Sequence, residues 1–393
     1  MSLNKGRRVF LIEGKRTPFG KFGGSLKDIK PVDLAVSATN SLLSEVGLKA
    51  ELIDQVILGN VVPSSTDTMY GGRHLALKAG CDEKTPGITI NRLCGSGIQA
   101  ILDATRLIKL DEAKCVLAGG TENMSMVPHL TYGARFGTKY GSLKNVDMLL
   151  DALTDQHAGC PMGITAENLG GKYEVSRADC DEFSLLSHQR AADAYNDGHL
   201  QKEICEVEIR KGSVSKDEHL RADASLADMN KLRSTFVKDG LVTAGSASGI
   251  VDGAAVALVA SEDFVKEHGL KPIAEIIDGA VVGVDPTIMG IGPAPAINQI
   301  LENNKMEQSQ IDLFEINEAF AAQTLACLKE LSLDVSKVNI WGGAIALGHP
   351  LAASGTRITT TLAHQLKTEN KEYGIASACI GGGQGIGILI KRV

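Results

Sequence analysis

Residues 91–108 read NRLCGSGIQAILDATRLI, in which the pair Ser96-Gly97 precedes apolar residues at helical spacing. The pair recurs as Ser354-Gly355, again ahead of a helical pattern, at a separation of 354 − 96 = 258 positions. Ile53-Asp54 and Ile311-Asp312 each precede an apolar strand that ends at an Asn, and they are also 311 − 53 = 258 positions apart. Two unrelated features that share one offset indicate an internal duplication.

The duplication divides the chain into two related halves with a different segment between them. Each half alternates apolar strands with amphipathic helices, which favours a layered α/β fold, and we expect mixed, mainly parallel sheets covered by helices. We assign residues 1–120 to the first half and residues 271–393 to the second half. Residues 121–244, which are loop-like and then helical and charged, form an inserted domain. Residues 245–270 return to small apolar residues and rejoin the first half.

The composition excludes several classes of protein. Of 393 residues, 44% are hydrophobic and 22% charged, which excludes global disorder. The net charge of −7 argues against nucleic-acid binding, and no apolar run is long enough for a membrane span. The eight cysteines show no C-x-x-C spacing, so we expect no metal site and reduced thiols. The polar, basic segment Met1–Arg8 does not resemble a signal peptide. We therefore expect a cytoplasmic protein, with a mitochondrial matrix protein as the alternative.

Cys94 is the first candidate for chemistry. It follows the apolar strand Ile88–Ile90 and precedes a helix. A helix N-terminus stabilises a thiolate, so we expect a lowered thiol pKa and a nucleophilic role. A structural cysteine on a packed turn remains the alternative.

Three further residues lie at junctions between strands and helices. His349, between Gly and Pro, could take a proton from a thiol. Cys379 precedes three glycines whose N–H groups could hold an oxyanion. Asn317 could orient a water molecule. A satisfied structural histidine, a tight turn and a helix cap are the respective alternatives. Packing of the two halves face to face could bring all four junctions together.

At this point the motifs resemble those of the thiolase family, and the similarity extends over essentially the whole chain. The branch that it resembles most contains the 3-ketoacyl-CoA thiolases and acetyl-CoA acetyltransferases. The matching segments, with their numbers in this chain, are Asn-x-x-Cys-Gly-Ser-Gly (91–97), Asn-Glu-Ala-Phe-Ala (317–321), Gly-Gly-Ala-Ile-Ala-Leu-Gly-His-Pro (342–350) and Cys-x-Gly-Gly-Gly-x-Gly (379–385), with Lys15–Gly20 and Gly119–Glu122 in support.

The resemblance implies two βαβαβαββ halves packed as α/β/α/β/α layers, with an inserted loop domain. It implies reversible acyl transfer between 3-ketoacyl-CoA and CoA, or condensation of two acetyl-CoA molecules, through an acyl-cysteine. Cys94 would be the nucleophile, His349 its base and Cys379 the second acid/base. Asn317, through a water, would join His349 in one oxyanion hole. The backbone N–H groups of Cys94 and Gly381 would form the other.

The resemblance also implies that CoA is a substrate, with no tightly bound cofactor and no metal. Ser248, within the segment Ala244–Gly249, would contact the pantetheine, and Arg221 would lie near the adenine. Residues 125–145 could be the loop through which homodimers pair as homotetramers. The expected tunnel lining is Leu153, Met162, Leu232, Phe236, Ala319 and Phe320, to which Ala244 and Gly249 add CoA contacts.

Three positions depart from the family pattern. Ala352 stands where the family usually has Gly, and it would strain the loop beside His349 if that position needs a positive φ. Ser246 replaces a frequent Asn. Pro161, before Met162, resembles the 3-ketoacyl-CoA thiolases of broader chain length. The alternatives are a ketoacyl-synthase-like condensing enzyme, a catalytically silent acyl-CoA-binding relative and, third, a cysteine peptidase.

Overall fold

The computed structural model describes residues 6–393, so residues 1–5 of the predicted first half lie outside the described part. The strands, in chain order, are β1 (Val9–Arg16), β2 (Gly20–Lys21), β3 (Gln55–Gly59), β4 (Gly87–Ile90), β5 (Cys115–Asn123), β6 (His129–Thr131), β7 (Asn145–Asp147), β8 (Thr154–Asp155), β9 (Cys160–Pro161), β10 (Val207–Ile209), β11 (Gly212–Val214), β12 (Val251–Ser261), β13 (Ala274–Gly283), β14 (Leu313–Ile316), β15 (Tyr373–Ile380) and β16 (Gln384–Arg392). The helices are α1 (Pro31–Val46), α2 (Gly71–Lys78), α3 (Ser96–Lys109), α4 (Met148–Ala152), α5 (Met162–Lys172), α6 (Arg177–Asn196), α7 (Leu226–Met229), α8 (Glu262–His268), α9 (Pro293–Asn304), α10 (Ala321–Leu331), α11 (Ala344–Leu347) and α12 (Leu351–Thr368).

The main sheet repeats one strand order in both halves. Its path is β14-β15-β16-β13-β1-β12-β5-β3-β4, with β2 paired to β12. The order β3-β5-β12-β1 of the first half therefore corresponds to β14-β15-β16-β13 of the second. The halves meet where β1 pairs with β13, at Phe10↔Glu275 and Leu11↔Ala274. The duplication inferred from the 258-residue offset is thus visible as a repeated topology.

The expectation of mainly parallel pairing was wrong. Parallel pairs occur between β3 and β4, β3 and β5, and β14 and β15, whereas the other pairs of the main sheet are antiparallel. For β15 and β16, the last two strands of the second half, the reason is the length of the connection. Only Gly381–Gly383 separate β15 from β16, and so short a connection permits only antiparallel pairing.

Two helices form the centre of the molecule. The core around α3 and α12 includes Ile98, Ile101, Ile358 and Leu362, packed against strand residues of both halves. Helices α1 and α2 pack on the outer face of the first half, and α9 and α10 on the outer face of the second. This arrangement confirms the predicted α/β/α/β/α layers.

The centre also explains why the Ser-Gly pair is repeated. A Cβ added to Gly97 would lie 2.4 Å from the backbone N of Thr356, and one added to Gly355 would lie 2.4 Å from the backbone N of Ile98. The absence of a side chain at each glycine therefore allows the backbone of the facing helix to approach closely. Unlike the prediction, α12 does not begin after Ser354-Gly355; it begins at Leu351.

Most of the proposed inserted domain, residues 121–244, lies between β5 and β12. Its helical region is divided into α5 and α6, and Ser176 caps α6 in a capping box with Asp179. Within residues 6–393, no helix combines the length and apolar character needed to cross a membrane.

Candidate active site

Cys94 lies on a constrained turn between β4 and α3. Leu93 has φ 46°, a left-handed conformation that a leucine rarely adopts. Two hydrogen bonds support the turn: the Leu93 N–H donates to Asn91 Oδ1 (2.9 Å), and the Arg92 N–H donates to Ser96 Oγ (2.9 Å). These hydrogen bonds hold the strained residue directly before the thiol in place.

Burial dominates the protonation of this thiol. Desolvation raises the pKa of Cys94 to about 11, against the opposing effect of the Gly381 N–H, which donates towards the sulfur. The expectation of a lowered pKa was therefore wrong, because the loss of water outweighs the helix N-terminus. Cys94 is protonated at neutral pH and needs a base to become a nucleophile.

His349 is held from both sides of its ring. Its Nδ1 lies 2.5 Å from Ser354 Oγ, and its Nε2 lies 3.4 Å from Asn317 Nδ2. Its backbone N–H donates to the Gly249 carbonyl (3.0 Å). Desolvation, and secondarily the charge of Arg357, lower the pKa of His349 to about 3. The imidazole is therefore neutral and able to accept a proton.

Cys379 is the second-last residue of β15, and Ile380 separates it from the glycine loop. Its side chain is buried, and burial, reinforced by Cys94 and Cys327, holds its pKa well above the ordinary value. The loop that follows is the tight turn of a hairpin, with φ 84° at Gly382 and 80° at Gly383. The same loop directs the Gly381 N–H towards the Cys94 sulfur. The loop is therefore both the tight turn that the sequence offered as an alternative and a source of the expected N–H donor.

Asn317 directly follows β14 and is fully buried. Its Oδ1 accepts no hydrogen bond from any described group, although it is buried. A buried acceptor without a partner is costly. This oxygen is therefore available to a water molecule or a substrate beside His349.

One apolar cavity collects most of the predicted site residues. Both sulfurs and the imidazole line it, and it is enclosed by the side chains of the inserted segment and of the 317–321 motif. Its lining residues are Leu93, Cys94, Ala152, Leu153, Met162, Ser248, Met289, Ala319, Phe320, His349, Leu351, Cys379 and Gly381.

Two adjoining depressions contain the remaining predicted residues except Asn317, which lines neither of them nor the first cavity. An apolar one shares Met162 and Ser248 with the first cavity and adds Phe236 and Gly249. A more polar groove is lined by Arg221, Leu232 and Ala244, among others. The segment Ala244–Gly249 borders both depressions. The Ser248 N–H donates to the Ala319 carbonyl (3.0 Å), so this segment is attached to the 317–321 motif.

Comparison with known proteins decides the family. The model described as "Thiolase, N-terminal domain" matches residues 9–263, and "Thiolase, C-terminal domain" matches residues 270–392. The chain belongs to the thiolase family. Among its relatives, mitochondrial 3-ketoacyl-CoA thiolase of Bos taurus is 50% identical over 98% of each chain. A probable acetyl-CoA acyltransferase of Staphylococcus aureus (strain COL) is 47% identical over 98% of this chain and 99% of the relative.

A solved structure shows the same fold in a thiolase with its ligand. Human mitochondrial 3-ketoacyl-CoA thiolase in complex with CoA superposes with a TM-score of 0.98 at 48% identity, covering 100% of this chain and 99% of that one. Both the predicted family and the predicted fold are therefore confirmed. Within residues 6–393, no group of three or more His, Cys, Asp or Glu side chains is arranged to hold a metal ion.

Glu122 of this thiolase joins the two halves beside the site. Its carboxylate accepts hydrogen bonds from the backbone N–H groups of Val62 (2.9 Å) and Ala352 (3.2 Å) and from Asn60 Nδ2 (3.0 Å). Burial raises its pKa to about 7. Ala352 itself is the second residue of α12 and has no positive φ, so the condition under which it would strain the loop is not met.

Sequence reasoning missed several residues of the site. His188 and His219 line the groove beside Arg221, and the Arg221 N–H donates to His188 Nδ1 (3.2 Å). Nothing in the local sequence marks these histidines, because α6 and the following loop approach each other only after folding. Ser354 was noted only as the start of a helix. Its contact with His349 arises because α12 begins at Leu351, three residues earlier.

Proposed function

We propose that this thiolase catalyses reversible acyl transfer between 3-ketoacyl-CoA and CoA through an acyl-Cys94 intermediate, and that the same site can run in reverse as a condensation of two acetyl-CoA molecules. The observation that carries the proposal is one apolar cavity lined by Cys94, His349 and Cys379. Two thiols with raised pKa values and a neutral imidazole in one pocket form a set of groups that can exchange protons.

In the first half-reaction, His349 takes the proton of Cys94, and the thiolate attacks the 3-keto carbon. The C2–C3 bond then breaks, the acyl group remains on Cys94, and the electron pair of that bond forms the enolate of acetyl-CoA. Cys379 supplies the proton that converts the enolate into acetyl-CoA. Its protonated state follows from its raised pKa.

In the second half-reaction, the Cys379 thiolate takes the proton of a CoA thiol, and the CoA sulfur attacks the Cys94 thioester. The shortened acyl-CoA leaves and Cys94 becomes a thiolate again beside the protonated His349. Two negatively charged oxygens form during the cycle. The pair of Asn317 and His349 serves one, and the N–H groups of Cys94 and Gly381 serve the other. Each fixed donor is typically worth about 3–4 kcal/mol.

Replacement of the two cysteines tests these roles. Cys94→Ala should abolish thiolysis and leave no acylated protein in mass spectrometry. Retention of near-normal thiolysis would refute the assignment. Cys379→Ser should suppress carbon–carbon bond formation more than acylation of Cys94. Equal loss of both half-reactions would count against a separate acid/base role.

We infer the CoA contacts from the residues that line the two depressions beside the cavity. We propose that CoA enters along Ala244–Gly249, with Ser248 at the pantetheine and the adenine end in the groove of Arg221. The apolar depression lined by Met162 and Phe236 favours acyl chains longer than acetyl. A series of 3-ketoacyl-CoA substrates of increasing length, with acetyl-CoA condensation measured beside it, tests this preference. Activity confined to acetoacetyl-CoA would contradict it.

We also propose a reducing compartment and a homo-oligomer. All eight cysteines are free thiols, which suits the cytoplasm or the mitochondrial matrix. The mammalian relatives are mitochondrial by name, whereas the Staphylococcus relative is bacterial.

Residues 125–145, where Phe136 and Tyr140 are almost fully exposed, are the proposed contact between dimers in a homotetramer. The division into 1–120 with 245–270, 121–244 and 271–393 stands as our proposal for the domains.

A further inference from the structure

The contacts of His349 specify which ring nitrogen carries its proton. Its Nε2 faces Asn317 Nδ2 at 3.4 Å, and an amide nitrogen can only donate. With the Asn317 amide in this orientation, the Nε2 presents its lone pair. In a neutral imidazole the single proton then lies on Nδ1, which needs an acceptor.

Ser354 Oγ is that acceptor. It lies 2.5 Å from His349 Nδ1 and 3.1 Å from the carbonyl oxygen of Pro350, which can only accept. A serine hydroxyl has one proton and two lone pairs, so it can accept from Nδ1–H while donating to the carbonyl. Ser354 is fully buried, so no solvent competes for these bonds.

We propose that Ser354 is a positioning residue for the base: it holds His349 in the Nδ1–H tautomer, so that the lone pair of Nε2, which faces only the Asn317 amide, can take the Cys94 proton. When Nε2 accepts that proton, the Nδ1–H bond to Ser354 is retained, and the Oγ–H bond to Pro350 extends the polarisation of the new imidazolium. No bond to Ser354 is broken and no proton leaves it. The residue acts through the ring and does not contact the substrate.

The arrangement depends on the local course of the chain. Gly348, with φ 97°, turns the chain so that His349 precedes α12. Because α12 begins at Leu351, Ser354 lies one turn into the helix and faces back over residues 349–350. The adjacent Gly355 forms the close contact between the central helices, so this part of α12 serves both the candidate base and the packing of the two halves.

The direct test is ¹⁵N NMR of histidine-labelled protein, with the His349 signal assigned by its loss in His349→Asn. The wild-type protein should show a protonated Nδ1 and an unprotonated Nε2, and Ser354→Ala should shift the population towards the other tautomer. A wild-type spectrum with the proton on Nε2 would overturn the proposal. This measurement needs no turnover, so it remains decisive even if the Ser354 variant fails to fold.

Kinetic measurements distinguish a positioning role of Ser354 from a role in packing alone. Ser354→Ala should lower kcat about 10- to 100-fold, by analogy with partners that orient metal-bound histidines, while KM stays unchanged. The control is Thr359→Val in the same helix, because buried Thr359 makes a similar bond to the carbonyl four residues earlier (Oγ1 to Gly355 O, 2.8 Å). This control should keep its kcat. An unchanged kcat in Ser354→Ala, or equal losses in both variants, would refute the proposal. The proposed role of Ser354 rests on the proposed thiolase mechanism. Full turnover by His349→Asn would refute that mechanism independently of the result for Ser354→Ala.

Discussion

The contact between Gly97 and Gly355 offers a sharp test of how the two halves fit together. Alanine at either position would place a methyl group 2.4 Å from a backbone nitrogen of the facing helix, whereas ordinary contacts lie at 3.4–4 Å. The obstruction is backbone in both cases, so no side-chain rotation can relieve it. The helices α3 and α12 must therefore separate by about 1 Å, the shortfall from an ordinary contact.

The magnitude follows from two opposing effects. Overpacking of a well-filled core typically costs about 1–3 kcal/mol, and a backbone obstruction belongs at the upper end. Replacing glycine by alanine inside a helix stabilises that helix by about 1 kcal/mol, because alanine has the higher helix propensity. We therefore expect Gly97→Ala or Gly355→Ala to lower the free energy of unfolding by about 2 kcal/mol. Activity should fall further, because a displacement of about 1 Å near a reacting group can cost about 100-fold.

Denaturant unfolding and thiolysis rates measure both effects. The matched control is Gly171→Ala in α5, because a Cβ there would meet no atom within 4 Å. This control should gain about 1 kcal/mol, so it should differ from Gly97→Ala by about 3 kcal/mol. Equal stability of Gly97→Ala and Gly171→Ala would refute the idea that glycine is required where the central helices meet.

Three other predictions concern the site. Folding lowers the pKa of His349 from 6.5 to about 3, so the unfolded chain binds more protons between these pH values and the free energy of unfolding falls as the pH drops through this window. Between pH 7 and pH 5, urea unfolding should show that the wild type loses about 2 kcal/mol more than His349→Asn. Equal losses in the two proteins would contradict the burial argument. Arg221→Ala should raise the KM for CoA and leave kcat unchanged, since Arg221 lines only the outer groove; a fall in kcat alone would place it elsewhere in the reaction. Ala352→Gly should cost at most about 1 kcal/mol of stability and bring no gain in turnover, because Ala352 is helical; a more active variant would reveal strain in the native loop.

The sequence predicted most of the fold because the duplication preserves local patterns. The offset between Ser96-Gly97 and Ser354-Gly355 survives because each glycine is needed by the other helix. Strand direction was not predictable in the same way. Apolar runs show where a strand lies, but its direction depends on the connection, and the antiparallel pairing of β15 and β16 follows from a loop of three glycines.

The candidate site was predicted as a set of residues, but its electrostatics were not. The position of Cys94 before a helix suggested a thiolate, because a local argument counts the helix N-terminus and cannot count the protein packed around it. The folded site reverses that conclusion, since desolvation raises the pKa of Cys94 to about 11 and lowers that of His349 to about 3. In the resting site a thiol and a neutral imidazole therefore line the same cavity, and proton transfer has to accompany substrate attack. That requirement makes the orientation of His349, and hence its bond to Ser354, matter more than it would for a preformed thiolate.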